Sequence, residues 1–387
     1  MKIAVMGAGM MGSVIAWDLA RSGDVDEVSV ADVSEQRLAA VRKRIGEKAV
    51  TRKLDVTDRD SVVRFLKGCD SAVSALPHGA VHRADLAAVG CGAKLVNTAF
   101  EDEQMALDRT ARAHGSALIP GCGVAPGLSN ILVAEGIRGM DEAEEGHIYV
   151  GGLPQRPEPP LSYRLVFSVR GLIREYVSAR VIRDGEVRSV DPFGQVERVR
   201  FRRPVGTLEA FFTDGLGSSI YTLRSLKQLD ERTLRFPGHA ERIKFLLDAG
   251  FFSTEPVKVG DRTVAPIEVS EAVLQKVLTR GDPRDLTVMR VESVGRRDGD
   301  RVKVVFKLID RYDEAEGITS MGRTTGFTAA IVARMLGRGE IEGQGVLPPE
   351  EVLGRAAVAR LLAELSSKGV KVERRTGPAQ SRKLRKA

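Results

Sequence analysis

The residues that most directly suggest chemistry are three glycines near the beginning of the sequence. Gly7, Gly9 and Gly12 follow the apolar run IAVM at 3–6 in the pattern Gly-x-Gly-x-x-Gly. After a buried strand, this spacing allows a tight turn, a close backbone approach to a pyrophosphate and close packing of the next helix. We therefore expect the three glycines, with Met10 and Met11 between them, to bind a dinucleotide.

A carboxylate follows the next apolar run, 20 residues after Gly12, at Asp32. At this position a carboxylate accepts hydrogen bonds from the adenosine ribose and repels a 2′-phosphate. The sequence therefore predicts NAD rather than NADP as the cofactor. The alternative is a glycine-rich turn in another parallel α/β unit, with Asp32 on its surface.

Apolar runs alternate with helical stretches through residue 119, which predicts a six-stranded, doubly wound parallel sheet of the Rossmann type. The third strand is expected to end at Leu54-Asp55-Val56 and to place Asp55 and Val56 near the adenine. The fourth ends at Pro77, so Ala75, Leu76 and Pro77 are expected near the cofactor.

Strand-like alternation dominates after Gly127, with a hairpin turn at Asp184-Gly185 and a second hairpin over 287–310. Strands are also predicted at 163–169, 179–183, 186–190, 198–201 and 208–212. Helices are predicted at 328–336 and 348–366. We therefore divide this α/β protein into a Rossmann domain (1–122), an α+β substrate and dimerisation domain with a largely antiparallel open sheet (123–320), and C-terminal helices that return to the Rossmann domain (321–387).

Charge and composition narrow the function classes. The net charge of +7 arises after residue 367, in a basic tail that begins at Lys368 and is expected to be solvated. It has no interleaved aromatic residues on which bases could stack, and this argues against nucleic-acid binding. Three cysteines without CxxC spacing and five histidines without an HExxH motif argue against a metal site.

The cellular setting is also an expectation from the sequence. No apolar run approaches the length of about 20 residues that crosses a bilayer, and the chain starts with a strand rather than a signal peptide. These features predict a cytoplasmic protein with no membrane association. Asparagine is scarce while Arg and Glu are plentiful, which favours a thermophilic protein, although GC-rich coding gives the same bias.

The segment IPGCGVAPGLSN at 119–130 crosses between the two predicted domains. Its glycines and prolines fix a shaped backbone, and Ser129 is suited to cap the following helix. This segment is expected either to line the substrate cleft, with Cys122 among its contacts, or to be a plain interdomain hinge.

Several stretches closely resemble the saccharopine dehydrogenase-like family, and among its members the lysine 6-dehydrogenases. They are GCGVAPGLSN, GGLPQRPEPPLSYRLVFSVRGLIREY, EAFFTDGL, TLRFPGH, MGRTTGFTAAIVARML and GVLPPEE, in consistent order from Met1 to about Leu365. The resemblance implies a homodimeric, NAD-linked oxidoreductase acting on a small-molecule substrate. A lysine 6-dehydrogenase oxidises the ε-amine of L-lysine to an imine, which water converts to a semialdehyde and ammonia.

The resemblance also implies roles for particular residues. Asp108 matches an acidic residue that contacts substrate in saccharopine-forming relatives, and Arg170 matches a substrate arginine. Arg235 lies in the family motif LRFPGH and is expected to bind the α-carboxylate. The chain departs from the expected pattern at Gly121, where an Asp is common, and therefore lacks a possible carboxylate at this position.

The reaction needs a group that removes a proton, since an ammonium with a pKa of about 10.4 has no lone pair with which to expel hydride. His78 follows the fourth strand and is a candidate beside Asp108. Glu101 and Asp102, after the fifth strand, are rivals, and His239 is a further candidate. Two other functions stay open: imine reduction of the saccharopine or carboxynorspermidine type, and NAD binding without turnover.

Overall fold

A computed structural model describes residues 1–165 and 169–379 of the chain. Its first part alternates strands and helices. Ile3, Ala4 and Val5 are all fully buried, as expected of a parallel strand covered by helices on both faces. The strands are β1 (Lys2–Met6), β2 (Glu27–Asp32), β3 (Ala49–Lys53), β4 (Ser71–Ser74), β5 (Lys94–Asn97) and β6 (Ala117–Ile119), and the helices are α1 (Met10–Arg21), α2 (Glu35–Ile45), α3 (Arg59–Leu66), α4 (Val81–Val89) and α5 (Asp108–Ala113).

The second part is mostly strands. Its helices are α6 (Leu128–Ile137), α7 (Val169–Arg174), α8 (Ser219–Thr222), α9 (His239–Asp248) and α10 (Pro266–Leu278). Its strands are β7 (Glu142–Pro154), β8 (Ala179–Arg183), β9 (Glu186–Val190), β10 (Glu197–Arg200), β11 (Thr207–Phe212), β12 (Gln228–Arg235), β13 (Val257–Val259), β14 (Arg262–Val264), β15 (Asp285–Arg297) and β16 (Asp300–Arg311).

The C-terminal part contributes to both sheets. Short α11 (Ser320–Gly322) continues through a π-helical turn (Arg323–Phe327) into α12 (Thr328–Gly337). The remaining elements are β17 (Gly345–Val346), α13 (Pro349–Val352), α14 (Arg355–Ser367) and β18 (Val372–Pro378). Helix α12 packs on β4 and β5, next to α1.

The strand orders confirm the predicted fold class. The first sheet is parallel, in the order β3-β2-β1-β4-β5-β6-β17. The second has the order β10-β11-β12-β7-β15-β16-β18, with the β8–β9 hairpin attached to β12. In this second sheet the β12–β7 pair is parallel and the other described pairs are antiparallel.

Apolar side chains from both sheets meet in one core. Val5 and Val73 of the first sheet belong to the same buried cluster as Ile148 and Val291 of the second. Helix α6 supplies Ile131 and other buried residues to that cluster. The two sheets are therefore joined through a shared hydrophobic interior.

Some predicted elements are wrong in their bounds. β3 ends at Lys53 rather than Val56, because Asp55 accepts hydrogen bonds from the N–H and hydroxyl of Thr57 and so closes a turn. The predicted helix 348–366 is two helices, separated at Leu353 and Gly354. Ser129 lies inside α6, where Gly127 takes the cap position and its N–H donates to Asn130 Oδ1.

The predicted strand 163–169 is wrong in its described part; residues 166–168 lie outside the described chain. Residues 163–165 are irregular, and Val169 begins α7. Tyr163, Leu165 and Val169 are all buried in one cluster around Tyr176. Their apolar character reflects this packing rather than the two-faced alternation of a strand.

Up to residue 379 the basic tail is an ordered part of the second sheet, although several of its side chains stay exposed as predicted. Its last residues, 380–387, lie outside the described chain. Lys368 donates to the buried carboxylate of Asp18 at 2.6 Å. β18 pairs with β16 from Val372 to Pro378, and Glu373 accepts from Arg202. The free edge of β16 binds this segment through backbone hydrogen bonds and complementary side chains, despite the high charge of the segment.

Candidate active site

The glycine turn between β1 and α1 is built by direct backbone contact. Gly7 has a φ of +99°, and a Cβ there would lie 2.6 Å from the carbonyl oxygen of Ala75. A Cβ at Gly12 would lie 1.8 Å from the carbonyl oxygen of Gly7. Nothing lies within 4 Å of a Cβ placed at Gly9, the cap of α1. Two glycines thus serve the fold, and the third leaves open space at a helix N-terminus, where a pyrophosphate fits.

The other predicted cofactor residues surround this turn. The Asp32 carboxylate accepts from the N–H groups of Ala8 (2.7 Å) and Ser34 (2.8 Å), and its side chain is only 5% exposed. Arg37 Nη1 lies 3.4 Å from Asp32 Oδ2. Ala75 donates to the carbonyl of Met6, and Leu76 and Pro77 continue the chain from it.

Met10 is exposed at the start of α1 and Met11 is half-buried. At the edge of the sheet Asp55 is exposed and Val56 half-buried. These residues therefore offer both polar and apolar contacts to a dinucleotide that follows the turn.

His78 and Glu101 meet beyond the carboxyl ends of β4 and β5. His78 Nδ1 lies 3.1 Å from Glu101 Oε1, and the Gly79 N–H donates to the same oxygen. The Glu101 side chain is 12% exposed and that of His78 is 35% exposed. An imidazole held by a carboxylate beside the predicted nicotinamide position can accept and release a proton.

A buried amide and carboxylate network fixes the loop that carries Glu101. Asp85 on α4 accepts from Asn97 Nδ2 (3.0 Å) and Gln104 Nε2 (2.6 Å), and Gln104 in turn accepts from the Glu101 N–H. Burial raises the pKa of Asp85 to about 7. Sequence periodicity did not reveal Asp85, because its partners come from different elements.

A charged cluster joins the two domains at the same end of the sheet. Arg180 donates to both Asp102 and Asp214, with closest distances of 2.8 and 2.9 Å. The Tyr221 hydroxyl donates to Asp102 at 2.8 Å, and its ring lies 6.4 Å from that of Phe100. Two carboxylates, Asp102 and Asp214, share the guanidinium of Arg180, so these three side chains together carry net negative charge.

Arg235 lies in a second, buried polar group on β12. Its side chain is 2% exposed, donates to Glu175 at 2.7 Å and lies over the ring of Tyr163. Glu231 precedes Arg235 on β12 and lies on the same face of the strand. One of its carboxylate oxygens accepts from the Thr213 hydroxyl, and the other lies 1.9 Å from a Cβ placed at Gly215. Gly215 must therefore be glycine for Glu231 to occupy this place.

Three buried atoms of this group have no hydrogen-bond partner in the described chain. They are Glu231 Oε2, Arg235 Nε and the Tyr163 hydroxyl. Burial, together with the negative charge of Glu175, raises the pKa of Glu231 to about 8. An unpaired buried polar atom costs about 1–3 kcal/mol, so this group is suited to receive the polar end of a ligand.

Other predicted site residues are engaged elsewhere. Asp108 accepts from Arg112 and from the N–H of Val346, so it holds edge strand β17, and the hydrogen bond from Arg112 lowers the pKa of Asp108. Arg170 forms a two-point ion pair with Glu271 on the surface. The structure does not bring either residue into contact with the cleft residues described above.

Cys122 and His239 are both buried. The Cys122 thiol lies in the shared core, where burial and the nearby Glu350 raise its pKa to about 12. His239 contacts the Tyr176 hydroxyl and the Leu161 carbonyl, and burial followed by the charge of Arg235 lowers its pKa to about 3. Both groups are therefore uncharged near neutral pH.

A parallel sheet with a dinucleotide turn, joined to an open mixed sheet across a cleft of titratable side chains, defines a two-domain, dinucleotide-binding oxidoreductase. Two family models cover most of the chain: "Saccharopine dehydrogenase NADP binding domain" over residues 3–119 and "Saccharopine dehydrogenase C-terminal domain" over residues 123–370. The chain belongs to the saccharopine dehydrogenase family, as the motif resemblance predicted.

Curated relatives and a solved structure agree with this membership. Saccharopine dehydrogenase [NADP(+), L-glutamate-forming] of Saccharomyces cerevisiae is 22% identical over 423 residues, covering 90% of this chain and 93% of the relative. Mouse mitochondrial alpha-aminoadipic semialdehyde synthase is 21% identical, and the match spans 46% of its length. The apo structure of the Saccharomyces cerevisiae saccharopine dehydrogenase (L-Glu forming) has a TM-score of 0.79 at 20% identity, over 97% of this chain and 99% of that one.

Two further observations bear on partners. Among helices of the described residues, none combines the length and apolar character needed to cross a bilayer. The same residues contain no group of three or more His, Cys, Asp or Glu side chains arranged to hold a metal ion.

The glycine turn yields a matched pair of variants. Gly9→Ala should fold normally, because its new methyl meets no atom, yet weaken NADH binding about tenfold or more by filling the space for the pyrophosphate. Gly12→Ala should instead lower the melting temperature, because its methyl strikes the Gly7 carbonyl. Thermal unfolding and fluorescence titration measure the two effects; unchanged NADH affinity in Gly9→Ala would remove the turn from the cofactor site.

Glu231 gives stability a specific pH dependence. A carboxyl group whose pKa is higher in the folded state contributes stability at a pH below its unfolded-state pKa. This contribution is lost as the pH rises through the folded-state pKa, which is about 8 for Glu231. Glu231→Gln should therefore gain melting temperature relative to wild type between pH 5 and pH 9. Exposed Glu241→Gln is the control; parallel curves for all three proteins would contradict the assignment.

Proposed function

We propose that this protein is an NAD-dependent L-lysine 6-dehydrogenase. The observation that carries the proposal is the His78–Glu101 pair, placed where β4 and β5 end beside the glycine turn. When bound, the nicotinamide of the cofactor would accept the hydride. The residues of the chain must orient the amine, remove its proton and disfavour substrates that carry several carboxylates.

His78 and Glu101 are assigned the proton. Oxidation of an amine begins from its neutral form, so the ε-ammonium of lysine must first lose a proton to the imidazole. Glu101 stabilises the imidazolium that results. Hydride then leaves carbon 6, the nitrogen lone pair forms the imine, and water adds to release ammonia and the semialdehyde.

The charges of the cleft favour a basic substrate. Asp102 and Asp214 share Arg180, and Glu101 adds a further carboxylate beside His78. Such a cleft attracts an ammonium group and opposes a substrate with several carboxylates. In the neighbouring buried group, Arg235 Nε is suited to the α-carboxylate and Glu231 Oε2 to the α-ammonium.

Saccharopine oxidation, or the reverse imine reduction, is the second candidate. It is supported by the names of the curated relatives, which are saccharopine dehydrogenases forming L-glutamate. Saccharopine carries more carboxylates than lysine, and the described cleft supplies few unpaired cations for them. The two candidates therefore differ in a property that a substrate comparison measures.

The proposal for NAD rests on Asp32. Its buried carboxylate already accepts from Ala8 and Ser34, which fixes it at the end of β2 where a ribose would lie. Arg37 is the opposing feature, since it lies beside Asp32 with its side chain 56% exposed. Because two N–H groups fix the Asp32 carboxylate where the ribose would lie, its repulsion of a 2′-phosphate should exceed the attraction from the exposed Arg37.

An absorbance assay tests substrate and cofactor together. L-Lysine should reduce NAD at alkaline pH, with ammonia released, and NADP should be used at least about tenfold less well. Asp32→Gly should reduce the difference in activity between NAD and NADP. If saccharopine reduces NADP and lysine reduces neither cofactor, the second candidate replaces the first.

The proton assignment has its own variants. His78→Gln and Glu101→Gln should each lower kcat about 100-fold or more, with NADH affinity retained, because they act on the proton rather than on the cofactor. Their double variant should lose little beyond the worse single one, since the pair acts as a unit. Exposed His114→Gln is the control; unchanged kcat in both single variants would transfer the role elsewhere.

We further propose that the protein is a homodimer of the cytoplasm. Support comes from β10 and β18, which end the second sheet on its two sides and leave strand edges where a second copy can associate. Analytical ultracentrifugation measures the assembly directly.

A further inference from the structure

A cavity of about 490 Å³ lies outside the proposed active site, where the end of α6 meets α14, β18 and the β15–β16 hairpin. Four arginines line it: Arg138, Arg297, Arg355 and Arg374. Its only acidic lining residue among the described residues is Glu135, so three positive charges are in excess. Arg138, Arg297 and Arg355 lie in the first 367 residues, which carry no net charge, and Arg374 belongs to the basic tail. The positive charge at this cavity is therefore a local concentration.

The four arginines differ in how many hydrogen bonds and ion pairs they form within the protein. Glu135 binds Arg138 at 2.6 Å and lies 3.7 Å from Arg374. Arg297 donates through Nε to the Gly139 carbonyl. Arg355 has no hydrogen-bond or ion-pair partner within the described ranges. Arg297 and Arg355 thus keep guanidinium N–H groups that can bind an oxyanion in two-point geometry.

The floor of the cavity is apolar. Phe306, Val358 and Leu362 lie among its lining residues, and the Arg374 guanidinium lies 5.6 Å from the Phe306 ring centre. Small-molecule sites commonly have volumes of about 300–1,000 Å³ and combine an apolar wall with a few polar anchors. A solvated patch of surface arginines would not need such a floor.

From this arrangement we infer a second small-molecule site, which binds an organic anion: a carboxylate or phosphate attached to an apolar body. Its oxyanion lies between Arg297 and Arg355, and its apolar body covers Phe306 and Leu362. The site is separate from the glycine turn and from the cleft, so binding there does not compete with cofactor or substrate.

Helix α6 connects this cavity to the rest of the molecule. It begins next to Gly127, at the crossing between the domains, and Glu135 near its last turn lines the cavity. Arg138 also donates to the carbonyl of Leu353, which precedes α14. An anion held between Arg297 and Arg355 contacts β15 and β16 of the second sheet and α14, which packs on α12 and so on the first sheet. Its binding should therefore raise the melting temperature.

Calorimetry at low salt with saturating NADH tests the inference on the full chain. Phenyl phosphate and phenylacetate represent the two anion classes; inorganic phosphate and benzyl alcohol each lack one half of the ligand. At least one aromatic anion should bind, about tenfold or more tightly than either half, and should raise the melting temperature. Absence of binding by both aromatic anions would overturn the inference.

Variants locate the binding. Arg297→Gln/Arg355→Gln should weaken the aromatic anion about tenfold or more while leaving kcat unchanged. Arg262→Gln/Arg280→Gln removes the same charge from exposed positions elsewhere and should leave binding unchanged. Equal losses in both double variants would mean a diffuse charge effect. A changed sedimentation coefficient in the first would mean a subunit interface; either result refutes the site.

Discussion

The structure depends on one backbone arrangement, the crossing from β6 to α6. Gly123 donates to the Pro126 carbonyl and Leu128 donates back to the Gly123 carbonyl, so the chain folds onto itself. A Cβ at Gly127 would lie 2.2 Å from the Gly123 carbonyl oxygen, and no other residue fits there. In the same segment Cys122 donates to the Asn97 carbonyl. The crossing therefore fixes the loop after β5 and the direction of α6 together.

Because these two features are fixed together, the chemistry of the cleft has little freedom to move. The loop after β5 carries Glu101 toward His78 and Asp102 toward Arg180. Asp85 on α4 fixes this loop by accepting hydrogen bonds from Asn97 and Gln104. Cofactor-domain and second-domain groups thus meet in a defined geometry, as proton transfer requires.

Charge in this protein is organised by burial. Glu231 and Asp85 have raised pKa values because they are removed from water with few or no cations beside them. Arg180 and Arg235 stay charged within ion pairs. Three of the buried atoms without a hydrogen-bond partner in the described chain belong to Arg235, Glu231 and Tyr163, and Arg235 lies in the motif from which substrate binding is expected.

The sequence by itself determined the Rossmann turn, the alternation of its first six strands with helices and the position of Asp32, because these follow from local spacing and periodicity. It also indicated His78 and its rival Glu101, since both follow buried strands. It did not determine that the two would meet, that Asp108 and Arg170 would bind Arg112 and Glu271, or that the basic tail would become β18. Those outcomes belong to tertiary structure, because each depends on partners distant in sequence whose burial and charge decide which contact is most stable.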